Sequence, residues 1–104
     1  MGESKAAAGL TGLPMTVWIT ENDDYPHDVR VKVSTLHGDR GSWRTAPSMA
    51  VRPQPHAIVP GSLPAADVAL VSRWIDLNRD VIIDNWNGVI DFDAVTPRLH
   101  QVKP

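Results

Sequence analysis

No cysteine occurs among the 104 residues of this chain, which excludes disulfide staples, thiolate nucleophiles and cysteine-based zinc sites together. Phenylalanine and tyrosine occur once each, so four tryptophans supply nearly all the aromatic surface for a core or a contact. No apolar run approaches the roughly 18 residues of a membrane-spanning helix, so no membrane association is expected. The opening stretch lacks a basic start followed by an apolar core, and so does not read as a secretory signal. Formal charge is only −2, which argues against tight non-specific binding to nucleic acid. These absences leave a cytoplasmic protein with one domain. At 42% hydrophobic residues it has enough material for a single two-layer core and is too short for a second.

What is present is led by one stretch, Leu63 to Trp86. At 100° per residue, Val68, Val71, Trp74, Ile75, Ile82 and Trp86 share one side, and Leu70, Leu77 and Val81 widen the stripe. Arg73, Asp76, Asp80 and Asp84 occupy the other side. Pro64 suits a first helical turn, where a missing N–H costs nothing, and Gly88 supplies a stop. An isolated helix of this length is marginal in water, so its apolar side requires a partner surface.

The first half of the chain offers that surface. Residues 1–14 carry glycines and an alanine run and read as a flexible, disordered leader, with residues 15–104 forming the single domain. Met15, Val17 and Ile19 alternate with Thr16, Trp18 and Thr20, the period of a half-buried strand. A polar turn with Pro26 follows, then a second strand in which Val29, Val31 and Val33 face one way and Arg30, Lys32 and Ser34 the other. Ser42 to Ala46 is the expected third strand, with Met49 and Val51 as its possible extension, and His56 to Val59 a short edge strand. Prolines 47, 53, 55 and 60 keep the intervening segment in extended pieces. Beyond Gly88, Val89 to Val95 reads as a short closing strand or an irregular tail packed on the core. The expected fold class is therefore α+β: a small antiparallel sheet of three to four strands against one long C-terminal helix.

Trp74-Ile75-Asp76-Leu77-Asn78-Arg79-Asp80, followed by Asp84-Asn85-Trp86, resembles the C-terminal helix of the small bacterial domain of unknown function 4160 family. Members of that family place a tryptophan, then His-Arg, then Asn-Trp on this helix, and carry a Pro-His-x-His motif after the first turn. Here Pro26-His27 matches the first half of that motif, while Asp28 and Val29 replace its aromatic and second histidine, and Asn78 replaces the helix histidine. The resemblance implies no established reaction. It implies a bacterial or mobile-element protein whose gene lies beside another small gene in a toxin–antitoxin-like pair, and hence a protein partner.

Asn78 and Asn85 lie on the apolar stripe, where a buried amide must find partners. The structural reading has them bonding strand backbone and setting the helix register; a ligand or partner contact is the alternative. Arg79, at the edge of the same face, is expected to tie the helix to an acidic turn such as Asp23-Asp24. His27, His37 and His56, with Asp28 and Asp39, are the residues from which a metal site or a His-Asp acid–base pair would have to be built. Their spacing contains no HxH or HxxxH, so no metal site and no cofactor are expected. Gly-x-Ser-x-Gly and a glycine-rich phosphate loop are both missing, which points away from an enzyme.

The leading functional expectation is a non-catalytic interaction module that binds a partner protein, either an adjacent gene product or a second copy, in a toxin–antitoxin, defence or counter-defence pair. Trp18 and Trp43, which alternation turns away from the valine face, are the expected aromatic anchors. Arg30, Lys32 and Arg44 would surround them with positive charge. The same five residues support the alternative, a nucleic-acid-binding or RNA-directed toxin protein using a basic sheet face.

Overall fold

The computed structural model describes residues 3–6, 11–20, 28–37, 46–90 and 92–102. It is an α+β protein with an antiparallel sheet covered on one side by a long helix. The strands are β1 (Glu3–Ala6), β2 (Met15–Thr20), β3 (Arg30–His37), β4 (Ser48–Ala50) and β5 (His56–Ala57), paired in chain order. Helix α1 runs Ala65–Trp86; a single turn, α2 (Phe92–Val95), leads into a 3-10 turn at Thr96–Arg98. No helix among the described residues is long and apolar enough to cross a membrane.

Alternation works as expected on the helix side of the sheet. Met15, Val17 and Ile19 of β2, Val31 and Val33 of β3 with Val29 just before it, and Met49 and Val51 at β4 are all buried against Val71, Trp74, Ile75, Val81, Ile82 and Trp86 of α1. The expected third strand is described only from its later part. Residues 42–45 lie outside the described residues, and pairing with β3 runs through Ser48 to Ala50. His56 and Ala57 do form the edge, pairing Ala50 and Met49.

The segment expected to be a flexible leader contributes structure. Glu3–Ala6 pairs with Val17 to Thr20 as a further strand beside the four expected. Thr11 and Leu13 are buried, and the Thr11 hydroxyl accepts the Leu13 N–H at 3.0 Å. The order comes from long-range partners: β2 offers a second edge to pair, and Val102 N–H donates to the Thr11 carbonyl at 2.8 Å. Nothing in the local pattern of small residues announces either contact.

Two further departures have physical causes. Pro64 is the residue before the helix and not within its first turn, with φ −58° and ψ 144°. The segment after Gly88 closes as the turn α2, with Val95 buried, so packing against the core holds but a strand does not form. Gly88 ends α1 as read: at φ +73° it donates to Asn85 O at 3.1 Å while Val89 donates to Asp84 O at 2.9 Å, the paired bonds of a glycine-terminated helix.

The β2–β3 ladder is interrupted in a way that matters for the site below. Val17, Trp18 and Ile19 oppose Val33, Lys32 and Val31, a register that would set Thr35 opposite Met15. His37 stands there instead, because residues 34–36 bulge. Ser34 holds the bulge: its hydroxyl accepts the Leu36 N–H at 3.1 Å and donates to the Leu36 carbonyl at 3.0 Å.

Two glycines with the same backbone sign separate local strain from packing. A Cβ on Gly12 (φ +75°) would lie 2.4 Å from the Val102 carbonyl oxygen, whereas one on Gly88 would meet nothing within 4 Å. Gly88→Ala is therefore expected to lose about 1 kcal/mol, the ordinary cost of a left-handed alanine. Gly12→Ala should lose on the order of 3 kcal/mol, since the backbone of residue 102 must also move. Urea unfolding midpoints compare the two, and equal losses would contradict this packing.

Candidate functional site

A groove runs along the outer side of the second half of α1, enclosing about 280 Å³. One wall is helical, made by Leu77, Asn78, Asp80 and Val81; the other is Pro97, Arg98 and His100 of the C-terminal segment. The i, i+3, i+4 spacing of Leu77, Asp80 and Val81 places them on one strip of helix surface. Leu77, expected to widen the buried stripe, is 52% exposed. The sheet lies under the azimuth of Trp74 and Ile75, and Leu77 falls beyond it.

The walls are joined by Asn78. Its side-chain Nδ2 donates to the Trp74 carbonyl at 2.9 Å and to the His100 carbonyl at 3.0 Å, while its Oδ1 accepts the His100 N–H at 2.7 Å. Both donors of a buried amide are thereby satisfied, and it bonds the backbone of the C-terminal segment where strand backbone was expected. Asn85 is also fully buried on the stripe. Arg79 reaches the Val51 carbonyl at 3.4 Å from both Nε and Nη2, and pairs with Asp76 at 2.6 Å. It thus ties α1 to the end of β4; Asp23 and Asp24 lie outside the described residues.

Charge along the groove is of mixed sign. Asp76, Asp80 and Asp84 follow one another at helical intervals of four. The first binds Arg79, and the third accepts from Arg98 at 3.2 Å, so Asp80 stands exposed between two engaged carboxylates. The lining thus combines the apolar Leu77, Val81 and Pro97 with Asp80 on the helix and Arg98 and His100 opposite.

A second polar feature sits at the other end of α1. Asp67, in the first turn, is 5% exposed, and His37 Nε2 lies 3.1 Å from its Oδ1 and 3.4 Å from its Oδ2. The bulge at residues 34–36 brings His37 to this position. A histidine–carboxylate pair thus exists with Asp67 as its carboxylate, while Asp39 lies outside the described residues. Asp67 was legible in part, since it lies four residues before Val71 and seven before Trp74 on the buried azimuth. The pair fastens β3 to the helix start, where a carboxylate also suits the helix dipole. His56 Nδ1 lies 2.7 Å from the Gln54 carbonyl, and His27 lies outside the described residues. Among the described residues no three His, Cys, Asp or Glu side chains gather as a metal site.

The expected contact face is corrected. Trp18 is only 5% exposed, so it is not a surface anchor, and Thr16 and Ser34 on the same side are buried as well. Arg30 and Lys32 are half-buried, with Lys32 directly opposite Trp18 in the ladder. Alternation identified the side on which these residues lie, but at Thr16, Trp18 and Ser34 that side is buried. Trp43 and Arg44 lie outside the described residues. Asp28 takes both Nε and Nη2 of Arg52 at 2.9 and 2.7 Å, and that hydrogen bond raises the Arg52 pKa.

Removing His37 would strand the Asp67 carboxylate inside the protein. His37→Ala is expected to lose about 1–3 kcal/mol of stability. In His37→Ala/Asp67→Asn, where the remaining side chain is neutral, part of that loss should return. Denaturant titrations of the two variants test the point, and equal losses would show that the carboxylate does not depend on His37. Comparison with known proteins supplies no name for the groove: no protein-family model, curated protein or solved structure matches the chain.

Proposed function

We propose that this protein is a non-catalytic interaction module and that the groove beside α1 receives its protein partner. The observation that carries the reading is Leu77, a leucine 52% exposed at the edge of a groove whose floor continues through Val81 and Pro97. An apolar patch rimmed by charge is the usual form of a protein contact, with the apolar centre supplying affinity and the rim supplying selection. Asp80 at that rim calls for a basic group next to the apolar side chain that covers Leu77. The likeness of the helix to the domain of unknown function 4160 family supports a partner encoded by the neighbouring gene, in a toxin–antitoxin, defence or counter-defence pair. A second copy of the chain meets the same requirement less well, since it must bring both an apolar and a basic group to a patch of its own kind.

Light-scattering mass measurement on the chain mixed with the adjacent gene product is expected to give a defined complex. Leu77→Asp and Asp80→Lys should each weaken that complex at least tenfold while leaving the urea midpoint within about 0.5 kcal/mol of wild type, because both positions are exposed. A complex indifferent to both substitutions would move the contact elsewhere, and a chain that ignores its neighbour would end the reading.

A further inference from the structure

Leu77 is the large apolar side chain that α1 leaves exposed, and its neighbours on the same strip of helix are charged. Arg73 lies one turn before it and Asp80 one turn after, at i−4 and i+3, and both are exposed. Neither has an ionic partner among the described residues, whereas Asp76 and Asp84 are engaged by Arg79 and Arg98. Two turns of helix separate Arg73 from Asp80, about 10 Å along the axis, too far for them to neutralise each other. The strip therefore presents a free cation, an apolar centre and a free anion in that order. Such an order is its own complement when reversed.

We propose that the outer strip of α1 is an interface with a second copy of this chain, the two helices antiparallel about a two-fold axis that passes beside Leu77. Turning a copy end for end sets its Asp80 against Arg73 and its Arg73 against Asp80, while the two Leu77 side chains meet at the axis. This meets the requirement of an isologous contact, in which one patch must serve both partners. Charge selects this register over the others. A parallel pair would set Arg73 on Arg73 and Asp80 on Asp80, and an antiparallel pair shifted to lay Leu70 on Leu77 would bring the two Arg73 side chains together. The half of the strip before Arg73 carries Ala66 and Ala69, exposed and small, so a second helix can lie close to α1 there. The basic group that Asp80 calls for, beside the apolar side chain that covers Leu77, is thus present in the chain itself. The inference goes beyond the reading of a neighbouring gene product and does not depend on it. The contact is small and carries exposed charge, so the dimer is weak and loosens as salt rises. Because it covers Leu77 and Asp80, a partner at the groove must separate the two copies.

Sedimentation equilibrium on the full chain at low salt, over a range reaching millimolar protein, tests this. Wild type is expected to pass from the monomer mass toward twice that mass as concentration rises. Arg73→Asp and Asp80→Arg should each weaken the dimer at least tenfold, because each sets like charges against one another twice. Two combinations should restore it to within about threefold of wild type. One is the double variant Arg73→Asp/Asp80→Arg; the other is an equimolar mixture of the two single variants, in which every facing pair is again of opposite sign. A wild type that stays monomeric at millimolar concentration would overturn the proposal. So would a dimer that the single substitutions leave intact, or one that neither combination restores, since either result places the contact elsewhere or in another register. If a charge reversal lowers the urea midpoint, the salt dependence of the wild-type dimer decides, and a mass unchanged between low and molar salt would equally overturn it. A monomeric chain leaves the neighbour's contact standing, and a neighbour that does not bind leaves the dimer standing, so the two readings fail separately.

Discussion

The stripe of α1 that carries Val71, Trp74, Ile75, Ile82 and Trp86 has to be covered, and the valine and isoleucine side of the sheet is what covers it. Each such side chain gains about 1.5–3 kcal/mol on leaving water, and neither layer keeps its form without the other. The helix is too isolated to persist alone, and strands as short as β4 and β5 gain their order from pairing and from the helix above. Trp74 sits at the centre of this contact, fully buried, with no acceptor for its indole N–H among the described residues. A buried donor without an acceptor is a cost that a large aromatic surface offsets. The position is better used for bulk than for polarity.

Against that apolar background, the polar groups admitted to the same stripe define the rest of the molecule. Asp67, Asn78 and Asn85 are all buried on α1, which in a purely apolar seam would be unfavourable. For Asp67 and Asn78 the compensation comes from a segment remote in sequence. Asp67 fastens the end of β3, and Asn78 fastens the C-terminal segment. The polar stations thus fix where β3 ends and where the segment after α2 lies, while the apolar ones fix that the layers meet. The groove is a product of this arrangement. Asn78 holds the C-terminal segment beside the helix and leaves Leu77, one residue earlier, turned away from the sheet.

Burial of Trp18 changes which surface is open for recognition. With Trp18 buried and Arg30 and Lys32 half-buried, the described part of the sheet's cationic side offers no exposed aromatic anchor. The exposed large apolar side chain closest to a concave surface is on the helix. Acidic residues at regular intervals on that helix then set the character of the site, with Arg79 and Arg98 drawing off the outer two charges and Asp80 left at the centre. Leu77 and Asp80 thus share one strip of helix surface.

The pattern of residues alone determined the helix, its glycine stop, and the inward side of β2 and β3. Those features depend on periods of 3.6 and 2 that a single segment carries within itself. It determined the burial of Asn78 and Asn85 for the same reason. Only the tertiary structure decided their surroundings, because the partners are distant: His37 lies 30 residues from Asp67, and His100 lies 22 from Asn78. Alternation assigned Trp18 to a side without revealing that the side is covered, and the azimuth of Leu77 was apolar without revealing where the sheet beneath it ends. The bulge that sets His37 opposite Met15 has no local signature in Ser34-Thr35-Leu36, since a bulge is a relation between two strands. Periodicity belongs to one segment; register, cover and groove belong to pairs of segments, and for those the chain had to be folded.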